Sequence, residues 1–178
     1  MDGIGPEKTE YSGRVTAADG PVLIAFDGSA AARRAVTDAA GLFGSRRALI
    51  LTVWEAGLAY ATPAVPPDGM IMSPMVEPGF ALQIDREVHS EAEQVAQEGA
   101  ALAKSLNLEA EALAVADEGD IADTILRVAD EHHAAAIVVG SRGLSGLRAR
   151  LEGSTSKGLL KRATCPVMVV HEPHEQHR

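Results

Sequence analysis

Apolar residues in this chain come in short unbroken runs, separated by stretches where they recur every three or four positions. Residues 21–26 (PVLIAF), 48–53 (ALILTV), 135–139 (AAIVV) and 166–170 (PVMVV) are such runs. Continuous rather than alternating apolarity is the pattern of strands buried on both faces. Residues 109–116 (EAEALAVA) read as a further strand. Between the runs the period changes. Ser29 is suited to cap a helix. The residues after it, AAARRAVTDAAGLF, place Ala32, Ala35, Val36, Ala39, Ala40 and Phe43 on one side. Residues 81–106 form a long helical pattern, with a broad stripe that includes Leu82, Val88, Ala92, Val95, Ala96, Leu102 and Leu106. Residues 120–133 predict another helix, opened by acids that suit its positive end. A last one lies near residues 155–162.

The order is strand and helix in strict alternation, closing on a strand. That implies right-handed crossovers and an α/β fold. The expected form is a three-layer, doubly wound, five-stranded parallel sheet of order 3-2-1-4-5, with helices on both faces. Residues 20–171 form one domain on this reading. Residues 1–19 are polar and read as a disordered leader, and residues 172–178 as a polar, histidine-rich tail. Residues 57–80 hold Pro63, Pro66, Pro67, Pro74 and Pro78. These are expected to keep a long helix out of that stretch and make it a loop. Loops of that length in compact domains are usually functional or disordered.

Composition narrows the function. Aromatics are only 3% of the chain, so the core must be built from Ala, Val, Leu and Ile. The formal net charge is −9, which disfavours nucleic acid as a partner. No apolar run approaches the roughly 18 residues that span a bilayer, and the start lacks the apolar stretch of a signal peptide. The single cysteine, Cys165, excludes an internal disulfide and a cysteine-based zinc cluster. A reducing cytoplasm is the expected location.

Open α/β sheets bind ligands beyond the carboxyl ends of their strands. Two segments fall there: Asp27-Gly28-Ser29 after the first strand, and residues 140–156 (GSRGLSGLRARLEGSTS) after the fourth. In the second, Gly140 and Gly143 admit close approach of backbone to a ligand. Gly153 is followed by the hydroxyls of Ser154, Thr155 and Ser156 at a helix start, where unpaired N–H groups suit phosphate. Arg142, Arg148, Arg150, Lys157, Lys161 and Arg162 face only Glu152, so six of the sixteen cations of an acidic chain lie in one stretch.

The segment resembles the ATP-binding signature of the universal stress protein family: Gly, two residues, Gly, nine residues, then Gly-Ser or Gly-Thr. Here these are Gly140, Gly143, Gly153 and Ser154. Asp27-Gly28-Ser29 resembles the family's opening and Thr164-Cys165-Pro166-Val167 its close. The resemblance implies that Asp27, with the backbone of Ala25 and Phe26, sits by the adenosine, its carboxylate toward the ribose hydroxyls. It implies that Val53 faces adenine and that Val139 and Gly140 line the nucleoside. Arg142, Gly143, Gly153, Ser154, Thr155 and Ser156 would hold the phosphates. It further implies ATP (or ADP or AMP) as ligand, Mg²⁺ or Mn²⁺ carried with the phosphates, and a homodimer paired through the last strand, residues 166–170. Arg142 stands at a variable position of the pattern, where its long cation would favour a triphosphate over AMP.

Three functions follow: a nucleotide-dependent regulatory or sensor module acting as a dimer, a slow ATPase or nucleotidyl-transfer enzyme, and a nucleotide-independent interaction module. Glu152 is the only acid in the glycine segment, and no GxxxxGK[ST] loop exists, so binding is favoured over catalysis. Retention of the glycine motif argues against the third. A response regulator, a flavodoxin-type site and a Rossmann fingerprint each lack their required residues after the first strand. Other residues have simpler readings. Asp27 also suits a turn or cap, a role compatible with ribose contact. His132 and His133 sit at a helix end. His171, His174 and His177 lie in a solvated tail, and Cys165 is a small structural residue. Met70, Met72 and Met75 suit a cover over a ligand or partner, or an irregular loop.

Overall fold

The computed structural model describes residues 19–56, 78–117, 119–141 and 154–171. Its strands are β1 (Val22–Ala25), β2 (Arg47–Glu55), β3 (Glu109–Asp117), β4 (Ala136–Gly140) and β5 (Val167–Val170). Its helices are α1 (Ala30–Phe43), α2 (Pro78–Ser105), α3 (Ile121–Glu131) and α4 (Ser154–Arg162). All pairings are parallel, as the alternation of runs implies, and the sheet order is β3-β2-β1-β4-β5, the order expected.

The unbroken apolar runs have a direct cause. Alternate residues of each strand feed two separate cores. Val22, Ile24, Phe26, Ala48, Ile50 and Val138 face the alanine-rich sides of α1 and α2. Leu23, Ala25, Leu49, Leu51, Ile137 and Val139 face α3 and α4. Both faces of the central strands are dry, so a polar residue is kept there only with a hydrogen-bond partner, as Thr52 of β2 has in the Phe26 carbonyl. Small side chains let the helices approach closely. A Cβ on Gly99 of α2 would stand 2.7 Å from both the Phe26 ring and Ile50.

Helix ends follow local chemistry. Ser29 caps α1, its Oγ accepting from the Ala32 N–H at 3.1 Å. Asp120 caps α3 in the same way, accepting from Ala122 at 2.7 Å. His132 and His133 close α3 at its C-terminus, with His133 at φ 51°. The long helix departs from expectation at its start. It begins at Pro78, within the segment expected to be loop through residue 80. Proline at the first helical position loses no intrahelical bond and its fixed φ suits the helix, so Pro78 opens the helix rather than blocking it. Residues 57–77 of that segment, with the Met70, Met72 and Met75 cluster, lie outside the described residues, as do residues 1–18 and the tail.

Candidate functional site

The strand order reverses between β1 and β4, so the crevice above these two is the place for a ligand. The registers Ala25↔Leu51 and Ile24↔Val138 fix the levels of the three central strands. Counted on from the last rungs, they put Val53, Asp27 and Ser141 at the same level, the carboxyl rim. β4 pairs with β5 as far as Gly140↔Val170, and the Ser141 N–H donates to the Val170 carbonyl at 2.7 Å.

The turn after β1 is held at nearly every peptide. The Phe26 N–H donates to the Leu51 carbonyl at 2.8 Å. The Phe26 carbonyl accepts from the Thr52 hydroxyl, also at 2.8 Å. Asp27 is half-buried, and its Oδ1 accepts the Ser29 N–H at 3.0 Å. Gly28 sits at φ 77°, a left-handed conformation that side-chain-bearing residues adopt at a cost of roughly 1–2 kcal/mol. The Gly28 carbonyl accepts from Arg33 Nε at 3.3 Å. The Arg33 guanidinium lies 5.8 Å from the Phe26 ring centroid and also meets Glu98 of α2 at 3.2 Å. The Asp27 turn is therefore braced from β2, α1 and α2 together.

Sequence-derived positions divide by what they can offer. Ala25, Phe26 and Val139 are buried to within 1%, so they can reach a ligand only through backbone. Val53 is half-buried against the α3 and α4 core. Gly140 is buried, and a Cβ there would lie 2.9 Å from the carbonyl carbon and Cβ of Ala31. Its bareness thus seats α1 against β4 as well as opening the rim. Ser154 begins α4; Thr155 is half-buried and Ser156 buried. α4 starts at the same rim. Strand β5 follows it and starts at the opposite end of the sheet, where the Ile137 N–H donates to the Pro166 carbonyl, so α4 must run back down the sheet. Its Leu159 packs into the α3 and α4 core. Arg142, Gly143 and Gly153 lie outside the described residues.

Thr52 and Arg33 do not emerge from sequence reasoning. Thr52 left one trace, the lone hydroxyl in the run ALILTV; Arg33 reads as an ordinary helix-surface cation. Cys165 fits its structural reading: burial first, and then the nearby Asp130 carboxylate, push its thiol pKa up. Among the described residues, no group of three or more His, Cys, Asp or Glu could hold a metal ion, and no helix is long and apolar enough to cross a membrane.

Comparison with known proteins agrees with this layout. Universal stress protein YxiE of Bacillus subtilis is 30% identical over 149 residues, covering 84% of this chain and 97% of that protein. The structure of hypothetical protein MJ0577 superposes with a TM-score of 0.67 at 17% identity, over 89% of this chain and 99% of that one. A universal stress protein in complex with cAMP is 25% identical, with a TM-score of 0.55, over 86% of this chain and 98% of that one. Residues 20–171 match the sequence profile described as Universal stress protein family. With that match and this order of strands, the chain belongs to the universal stress protein family.

Proposed function

We propose that the chain binds an adenine nucleotide at the rim formed by Val53, Asp27 and Ser141, and acts as a nucleotide-dependent regulatory module. The observation that carries this is that a carboxylate-bearing turn follows β1 and a bare Gly140 ends β4, packed on the first turn of α1, at the point where strand order reverses. Such a crevice offers a hydrogen-bond acceptor for sugar hydroxyls at one side and helix N–H donors for phosphate at the other. The likeness to a universal stress protein in complex with cAMP supports an adenine nucleotide as the class. ATP is the form we favour, since the basic residues of 142–162 outnumber what a monophosphate needs.

The residues present fit Mg²⁺ or Mn²⁺ arriving with the nucleotide. The α4 start supplies hydroxyls and N–H groups for phosphate oxygens, and the cation supplies neutralisation of the remaining phosphate charge. Titration of the folded protein with ATP, ADP and AMP in the presence of Mg²⁺, followed by calorimetry, is expected to give saturable binding with ATP tightest. An absence of binding by all three overturns the proposal.

The same reading includes a homodimer through β5. That strand ends the sheet order, and Val167, Met168 and Val169 are only partly buried. An open groove of about 510 Å³ runs between it and α1, lined by Asp38, Gly41, Leu42, Met168 and Val170 among others. Leu42 is 69% exposed there. An apolar unpaired edge is a hazard for a lone molecule, and pairing with a second copy removes it. Val169→Lys is expected to shift the protein from dimer to monomer in light scattering after gel filtration, with the far-ultraviolet spectrum retained. A variant that runs as the wild type would remove β5 from the interface.

A further inference from the structure

We infer that Thr52 is a positioning residue for the nucleoside end of the proposed site, acting through the Phe26 carbonyl on the direction of the Asp27 carboxylate. The inference rests on the nucleotide reading above and adds to it the part that sets sugar recognition.

Thr52 is 6% exposed, one of three buried polar residues among those described. A buried hydroxyl must find a partner, and this one finds the Phe26 carbonyl at 2.8 Å. The bond falls just beyond the last backbone rung between the two strands, Phe26 N–H to Leu51 carbonyl. The side chain of Thr52 therefore extends the ladder by one contact, at the point where β1 leaves the sheet.

The location gives the contact its consequence. A carbonyl and the next residue's N–H lie in one rigid plane. Holding the Phe26 oxygen fixes the plane of the Phe26–Asp27 peptide, and with it where the Asp27 Cα sits; the bonds of the turn then set the rotation from which the side chain departs. Farther on, the turn is fixed by its own bonds: Asp27 Oδ1 to Ser29 N–H, Arg33 Nε to the Gly28 carbonyl, and Ser29 Oγ to Ala32 N–H. These bonds make the turn a stiff unit. Thr52 sets how that unit is oriented on the sheet. A carboxylate that accepts from ribose hydroxyls depends on such orientation, because charge-assisted hydrogen bonds are short and directional.

The test is the preference for ribose over 2′-deoxyribose, measured as the ratio of dATP to ATP dissociation constants with Mg²⁺. A residue that merely stabilises the fold would weaken both ligands together and leave the ratio alone. Wild-type protein is expected to prefer ATP by about tenfold, the scale of one hydrogen bond to a charged group. Thr52→Val keeps the shape and removes the donor; its ratio is expected to fall below about twofold on the same hydrogen-bond scale. Thr52→Ser keeps the donor and should retain the wild-type ratio. Thr52→Cys, a weak donor, should behave as the valine variant and carries the test if valine prevents folding. A wild-type ratio in the valine or cysteine variant overturns the inference, as does a wild type that binds ATP and dATP equally. Failure of the wild type to bind either nucleotide overturns the nucleotide reading and this inference with it.

Discussion

Replacement of Gly140 by valine is expected to lower the stability of the domain by about 3 kcal/mol, the upper part of the usual range for overpacking a filled core. The reason lies in what stands opposite. A Cβ on Gly140 would lie 2.9 Å from the carbonyl carbon and Cβ of Ala31 and 3.1 Å from its oxygen. These atoms are mostly backbone, and Ala31 is fully buried in the first turn of α1. They cannot rotate away as a long side chain would. Relief requires α1 to shift, and α1 is anchored by its Ser29 cap and by Ala32, Ala35, Val36 and Ala39 in the core. At about 2–4 °C per kcal/mol for a domain of this size, the melting temperature should drop by about 6–12 °C. Nucleotide binding should weaken in parallel, because the displaced helix start is continuous with the Asp27 turn. Denaturant midpoints for wild type, Gly140→Ala and Gly140→Val measure the effect, with the alanine variant falling between. Equal midpoints would mean that α1 and β4 are not in close contact at this position.

Gly140 also shows what a sequence can and cannot convey. Its place after an apolar run marks it as a position where backbone comes near something. The sequence points to a ligand; the fold adds a helix, which depends on β1 and β4 being neighbours. The strands themselves were legible because both faces of a central parallel strand are dry, and the apolar run then has no gaps. α1 was legible through its alanine period, and Ala32, Ala35, Val36 and Ala39 are all buried. The start of α2 was not. Proline reads as a breaker from local context, and only the chain's path decides whether it stands inside a helix or at its first position.

The candidate site divides along the same line. Asp27 and Gly140 can be read as candidates because each directly follows an apolar run, and strand ends of this fold meet at one rim; Val53 enters only through the family resemblance. The braces cannot be read in this way. Thr52 bonds to a carbonyl 26 positions away, and Arg33 reaches Glu98 across 65. No local pattern records such separations. They exist only once β2 lies beside β1 and α2 beside α1. Residues whose chemistry is set by strand ends can be read from sequence, whereas residues that orient them have to be read from packing.

Asp27→Asn separates the two roles that this carboxylate can have. Asparagine retains an oxygen that can accept the Ser29 N–H, so the turn observed at 3.0 Å should survive and stability should change by less than about 1 kcal/mol. What it removes is the charge. If the carboxylate receives ribose hydroxyls, the loss is that of a charge-assisted bond, about 1.5–3 kcal/mol, or about tenfold to somewhat over a hundredfold in affinity for ATP. An opposing effect must be weighed, because the chain carries a formal −9 and ATP is an anion. Removing one negative charge lessens repulsion of the phosphates. That gain is small: charges about a Debye length apart, ~8 Å at physiological salt, are largely screened at a solvent-facing rim. The hydrogen bond therefore decides the sign, and affinity falls. Adenosine provides the control, since it has the ribose and lacks the phosphates. Its affinity should fall by at least as large a factor as that of ATP, with no relieved repulsion to offset the loss. An Asp27→Asn variant that binds both ligands as the wild type does would confine Asp27 to the turn that starts α1.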